Sequence, residues 1–208
     1  MWPTIYLLGA GALLSFAGSL PPGLISLSVA RMAVLRGFGP AFVLALGAAM
    51  AEFFQAGLAA VCAGWLTAHP MVGVLLRRAA GPVFGLIAIY LWFWAKPPRP
   101  SAVVVGRPGL WVFSQGVLVS AFNLLAVPYW VAYTGWLRSN GWWQEGWKGY
   151  VLFAFGVVLG TLGALVLYAR LGGRLHRQGY RAHRAVNRAV AVLFAGLGIW
   201  AFAQGMGR

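Results

Sequence analysis

The sequence predicts an all-α fold: a polytopic membrane protein whose six transmembrane helices form a 3+3 inverted repeat. Three observations carry this expectation. Of 208 residues, 61% are hydrophobic and 9% charged, with a mean hydropathy of +0.79, whereas a soluble domain carries roughly a quarter charged residues to wet its surface. The apolar residues fall into six long runs separated by short basic stretches. The two halves of the chain also look alike. This composition excludes an ordinary soluble enzyme and a disordered chain. Cys62 is the only cysteine, which excludes a disulfide scaffold, and no Cys cluster has metal-ligand spacing.

A hydrocarbon core about 30 Å thick takes roughly 20 helical residues at about 1.5 Å each. The first run extends from Ile5 to about Ala30 and is interrupted by Pro21, Pro22 and Gly23. The second extends from about Gly39 to Leu66, and the third, a short one, from about Ala79 to Ala95. The fourth extends from about Leu110 to Leu137 with Pro128 inside it, the fifth from about Gly149 to Tyr168, and the sixth from about Val186 to Ala203. The chain reads as a single transmembrane domain, 1–208, with repeat halves of about 1–97 and 108–208. No Lys or Arg precedes the first run, so it is expected to be a retained helix rather than a cleaved leader.

Charge orients the spans. Arg31 and Arg36, then Lys96, Arg99 and Arg107, then the six arginines from Arg170 to Arg188 all fall in loops on one side. The other side has Arg77, Arg78, Arg138, Lys148 and Arg208. The bias places the richer loops in the cytoplasm and both termini outside. The net charge of +14 lies between apolar runs, which argues against nucleic acid and for anionic phospholipids at the inner loops. Many of the 11 tryptophans stand near run ends, where an indole suits the headgroup zone. Gly is 29 of 208. Pairs such as Gly156 and Gly160 let helices approach closely, which permits a homodimer without requiring one.

The repeat is traced by three alignments. Residues 83–90 lie on 193–200, Gly47 on Gly156 with Ala51 on Gly160, and Pro21 on Pro128. Three crossings per half turn the second half upside down, which is a common basis for alternating access. The same alignment sets Thr161 opposite Glu52 and makes it a candidate.

Glu52 is one of two acids and the only one inside a run; the other, Glu145, lies in a loop. A carboxylate facing lipid costs several kcal/mol, so Glu52 is expected to face the interior or a wet cavity. There it either exchanges protons and meets a substrate ammonium, or packs as a neutral group. Gln55, under one turn away, shares its surroundings. Pro21, Pro22 and Gly23 break the first helix, because proline removes backbone donors and obstructs the helical path. The freed carbonyls need partners inside the protein. Such a break marks a substrate site or a static kink, and Ser26 flanks it. In the fourth run Asn123, Pro128 and Tyr129 form the matching feature. Asn123 is expected to be buried, and its amide either satisfies a broken helix or binds a polar solute. Tyr129 and Tyr133 share a face. No catalytic residue, cofactor site or metal site is expected, and the absence of a phosphate-binding loop excludes an intrinsic ATPase motor.

These residues resemble the LysE-type amino-acid exporter family, as a divergent member, from about Leu8 to Phe202. Gly18, Pro21, Pro22 and Gly23 are similar to that family's opening break, with Leu24 where its next proline belongs. Gly47 and Glu52 are similar to its second helix. Asn123, Leu124 and Leu125, then Pro128, Tyr129 and Trp130, are similar to its fourth, with Ala126 and Val127 replacing an Asn-Pro pair. The resemblance implies a non-enzymatic exporter of a small metabolite, most readily an amino acid or derivative, by proton antiport in a bacterial inner (plasma) membrane. It implies Pro21, Pro22, Gly23, Glu52, Asn123 and Pro128 as the core of the translocation site. The competing reading is a non-transporting membrane scaffold or assembly factor.

Overall fold

Apolar runs become helices, and prolines and glycines decide where each helix stops. The computed structural model of the protein describes residues 2–69, 71, 109–123 and 126–171, with isolated positions between 82 and 93 and between 188 and 199. Among these residues there is no strand. The continuous helices are α1 (Trp2–Ser19), α2 (Leu24–Arg36), α3 (Phe38–Ala68), α4 (Gly109–Ala121), α5 (Ala126–Ser139) and α6 (Trp147–Arg170). Phe38–Leu66 and Trp147–Arg170 are each long and apolar enough to cross a membrane alone. The pairs α1–α2 and α4–α5 qualify only together, as spans bent by 75° and 65°. The described residues therefore hold two to four candidate crossings. The third and sixth runs fall largely outside them, as does the segment aligned at 83–90 and 193–200.

The first break follows from its sequence. Pro21 and Pro22 offer no N–H, so α1 ends at Ser19. Gly23 is extended at the start of α2 (φ −119°, ψ −172°). Its N–H donates to Ser26 Oγ at 2.8 Å, and its carbonyl accepts from the N–H of Leu27 at 3.0 Å. The helix then runs through Arg31 to Arg36, past the expected end near Ala30, because arginine is a good helix former. Gly37 stops it at φ 87°, a left-handed conformation that glycine adopts without strain, and α3 starts at the next residue.

α4 ends at Ala121 and α5 begins at Ala126, so the second break stands at the Asn123 end of the expected feature, ahead of Pro128. Pro128 sits in the first turn of α5, where a missing N–H costs no helical hydrogen bond. The end of α4 tightens instead, with the N–H of Asn123 donating to the Ser120 carbonyl at 2.9 Å.

By contacts the chain divides into two units, each drawn from both halves of the sequence: Met1–Gly64 with Arg99–Gly179, and Trp65–Pro98 with Tyr180–Arg208. In the second unit Arg188 stands 5.3 Å from the centre of the Trp92 ring, and His69 stacks on Trp65.

The first unit is built on close helix pairs. α1 packs on α6, and α2 on α6 and α4. A Cβ on Gly11 would stand 2.4 Å from the Phe153 carbonyl oxygen and 3.1 Å from the Val157 nitrogen. On Gly116 it would stand 2.1 Å from the Leu44 oxygen and 2.9 Å from the Ala48 nitrogen. Phe153 and Val157 each lie 109 residues after Leu44 and Ala48, the same spacing that separates Glu52 from Thr161. The converse contacts agree: Gly156 meets the Leu8 carbonyl, three residues before Gly11, and Gly47 meets the Phe113 carbonyl, three before Gly116. So α1 lies on α6 in the register in which α4 lies on α3. Gly156, Gly160 and Gly163 meet Leu8, Ala12 and Phe16 in turn, and beyond Gly47 on Phe113 comes Gln55 on Ser120, so each pair is parallel.

Large side chains turn outward on α3, where Phe54, Leu58 and Val61 are exposed while Ala45, Ala48, Ala56 and Ala59 are buried. Small residues on the inner face are what allow such close approach. Two apolar clusters result. One contains Ala45 and Ala48 of α3 with Leu165 of α6, and the other contains Ala56 and Ala59 with Phe153 and Val157.

Candidate functional site

Glu52 and Thr161 fall between those two clusters, each midway along its helix. Glu52 is 7% exposed, and both Thr161 and Ser15 are buried. Thr161 Oγ1 donates a short hydrogen bond to Glu52 Oε2. Ser15 Oγ lies 2.6 Å from Thr161 Oγ1 and 3.5 Å from the same carboxylate oxygen. The three side chains come from α3, α6 and α1. Among the described residues no cation pairs with Glu52. A hydroxyl donates one proton and accepts at two lone pairs. The chain Ser15–Thr161–Glu52 therefore runs toward an ionised carboxylate, and with both hydroxyls rotated it runs away from a protonated one. The site can hold Glu52 in either form.

Three further polar contacts tie α1 and the helix breaks to the opposite half of the chain. Tyr168 Oη of α6 donates to the Leu20 carbonyl at 2.6 Å, just past the end of α1. Gln55 Nε2 of α3 donates to the Ser120 carbonyl at 3.1 Å and the Ala121 carbonyl at 3.5 Å, the last two of α4. Tyr129 Oη of α5 donates to the Leu14 carbonyl at 3.0 Å and packs where a Cβ on Gly18 would sit, at 2.9 Å. The Leu20, Ser120 and Ala121 carbonyls are freed at the breaks, and in an apolar protein such groups need donors.

The candidates of the sequence are thus only partly brought together. Glu52 and Thr161 touch, and Gln55 lies less than a turn beyond Glu52, at the second break. Pro21 is exposed, and Pro22 and Gly23 are half-buried. They end α1 about a turn beyond Ser15 rather than meeting the acid. Ser26 is buried but engaged with Gly23, so it caps α2. Asn123 is half-buried rather than buried, because it lies in the break itself. Pro128 is exposed, and Tyr129 reaches α1. Tyr129 and Tyr133 do share a face, with ring centres 4.7 Å apart. Ser15, Ser120 and Tyr168 were not singled out by sequence. A hydroxyl in an apolar helix gives no signal until the packing partner is known, although Ser15 lies one turn before Ser19, which does flank the break.

A buried acid on hydroxyls, between helices broken by proline and glycine, is what the family comparison has to account for. The family model of the LysE type translocator matches residues 16–205. The chain belongs to the LysE family. No curated protein and no solved structure matches it significantly. The match covers Glu52, Thr161 and both breaks and leaves Ser15 one residue outside. Membership makes this a LysE-type membrane translocator, in agreement with the apolar helices.

Proposed function

We propose that this LysE-type protein exports a small zwitterionic or cationic metabolite, most readily an amino acid or derivative, in exchange for protons. Glu52 is the group that both ligands use. The observation that carries the reading is the Glu52 carboxyl, buried among three helices on two hydroxyls and with no cation paired to it among the described residues. A buried acid that stays charged is expected to have an ionic partner; Glu52 has none among the described residues and so is a group able to take up a proton. A carboxyl that must alternate between proton and substrate is expected to have partners that serve both forms.

The wider reading has six crossings in two inverted halves, with the richer basic loops facing the cytoplasm and anionic headgroups. The shared register of the α1–α6 and α4–α3 pairs supports the inverted arrangement. Two halves of opposite sense have two equivalent packings, one open to each side.

Counterflow of labelled amino acids in proteoliposomes, with and without an imposed pH gradient, tests this. Wild-type protein is expected to move at least one amino acid, faster with the gradient. Glu52→Gln is expected to fold and to lose the gradient dependence. Gradient-driven flux that persists in E52Q vesicles defeats proton coupling through Glu52. If no solute moves through wild-type protein, the scaffold reading takes its place.

A further inference from the structure

At the second break two buried polar atoms have no partner: Gln55 Oε1 and Ser120 Oγ. Ser120 is 0% exposed. Ser15 and Ser120 stand four residues after Gly11 and Gly116, the glycines that share a packing register. Ser15 is therefore placed against α6 as Ser120 is against α3. The Ser15 hydroxyl meets Thr161, whereas the Ser120 hydroxyl meets the helix that carries Glu52 and Gln55 and finds nothing to bond.

Buried polar groups are nearly always satisfied, so a native orphan requires an explanation. The Gln55 amide cannot be turned to remove its own. Its Nε2 donates to the Ser120 carbonyl at 3.1 Å, and the reversed amide would set oxygen against oxygen. Oε1 is thus a committed acceptor. Ser120 Oγ has lone pairs to offer as well, and the carboxyl end of α4 carries the negative end of the helix dipole. Gln55 Oε1 only accepts, Ser120 Oγ can turn its lone pairs to the same ligand, and the negative helix end favours positive charge, so together they suit a cationic donor. An ammonium group, with three N–H donors and no acceptor, has this chemistry.

We propose that Gln55 Oε1 and Ser120 Oγ, at the carboxyl end of α4, form the subsite for the ammonium group of the exported solute. The proposal rests on the export reading. Gln55 is three residues from Glu52, roughly 4.5 Å along the helix axis. An ammonium held there sits beside the carboxyl, so substrate and proton compete for Glu52 without occupying the same atoms.

The test uses the full chain in proteoliposomes and labelled neutral amino acids, each beside its Nα-acetyl form. Wild-type protein is expected to move the amino acid and not the acetylated form. Gln55→Leu and Ser120→Ala are expected to raise the half-saturating concentration about tenfold or more, as loss of a hydrogen bond to a charged group does, while an imposed pH gradient still accelerates flux. Ser120→Ala, which leaves the Gln55 donor on the Ser120 carbonyl in place, serves alone if Q55L does not fold.

Transport of acetylated forms as readily as free ones overturns the subsite, as do unchanged half-saturations in Q55L and S120A. In both cases the export reading survives. Sodium dependence that vanishes in the variants, seen when sodium is replaced by N-methylglucamine, would assign the atoms to a metal cation and overturn the proposal. Absence of any flux through wild-type protein fails the export reading first, and this subsite with it.

Discussion

Glu52 and Glu145 are the only acids of the chain, and their surroundings are opposite. Glu52 is buried mid-helix on two hydroxyls with no paired cation among the described residues. Glu145 stands in the loop before α6 with its side chain 65% exposed, 2.9 Å from the Nε of an Arg138 whose own side chain is 6% exposed. Tyr150 Oη donates to Glu145 at 2.9 Å and accepts from Arg138 Nη2 at 3.0 Å. The Arg138 guanidinium also lies 4.4 Å from the centre of the Trp143 ring. At the loop the charge is fixed by a partner, and the arginine, not the acid, is the buried member. At the centre nothing fixes the charge. The same functional group is therefore a fastener in one place and a site free to change state in the other.

The largest expected effect follows from that contrast. Acceleration of counterflow by a pH gradient should vanish in E52Q and persist in E145Q, measured side by side in the same vesicles. Equal losses in both variants would break the comparison, because the coupling would then not depend on burial away from a cation.

The next effect sharpens it by testing the scaffold that holds the central acid. Gly47→Ala and Gly116→Ala each put a methyl 2.1 Å from a backbone oxygen across the α3–α4 contact. Backbone cannot yield as a flexible side chain can, so a loss of about 1–3 kcal/mol is expected, read as a lower thermal midpoint in detergent. Gly57→Ala and Gly135→Ala have nothing within 4 Å of the added methyl. They are expected to be neutral, or to gain up to about 1 kcal/mol from better helix propensity. Equal responses at all four positions would mean that the shared register does not reflect tight packing.

What was legible in the sequence divides along the same line. α3 and α6 were readable to within about two residues at each end, 39–66 against Phe38–Ala68 and 149–168 against Trp147–Arg170, because an unbroken apolar run has one inexpensive conformation in lipid. The first break was readable because paired prolines allow no helix. The second was readable only as a feature running from Asn123 to Tyr129, since a proline in the first turn of a helix looks the same in sequence as one that ends it, and the helices stop at its Asn123 end. Thr161 was legible only through the repeat, which set it opposite Glu52 before any contact was known. Ser15 and Ser120 were not. Serine is common in apolar helices, and what distinguishes these two is the glycine register four residues earlier, which becomes visible only when α1 is seen on α6 and α4 on α3. The amide that satisfies the broken helix is not Asn123 but the equally half-buried Gln55, which reaches the α4 carbonyls from a neighbouring helix.

The smallest effect concerns the exposed acid. The hydrogen bond from Arg138 holds the Glu145 carboxyl below its ordinary range, with Tyr150 and the arginine charge adding to this against partial burial. A depressed native value contributes stability above the unfolded value, near about 4.3, and that contribution is lost as pH falls through the native one. The gap in thermal midpoint between wild type and E145Q should therefore be flat from pH 6 to pH 8 and close progressively below about pH 4. Its size is expected to stay under about 1 kcal/mol, because solvent screens a carboxylate this exposed. A gap that persists unchanged to pH 3 would mean that the neutral acid serves as well as the charged one. The loop would then be held by Arg138 packing on Trp143 and Tyr150 rather than by the ion pair, and the contrast between the two acids would reduce to burial alone.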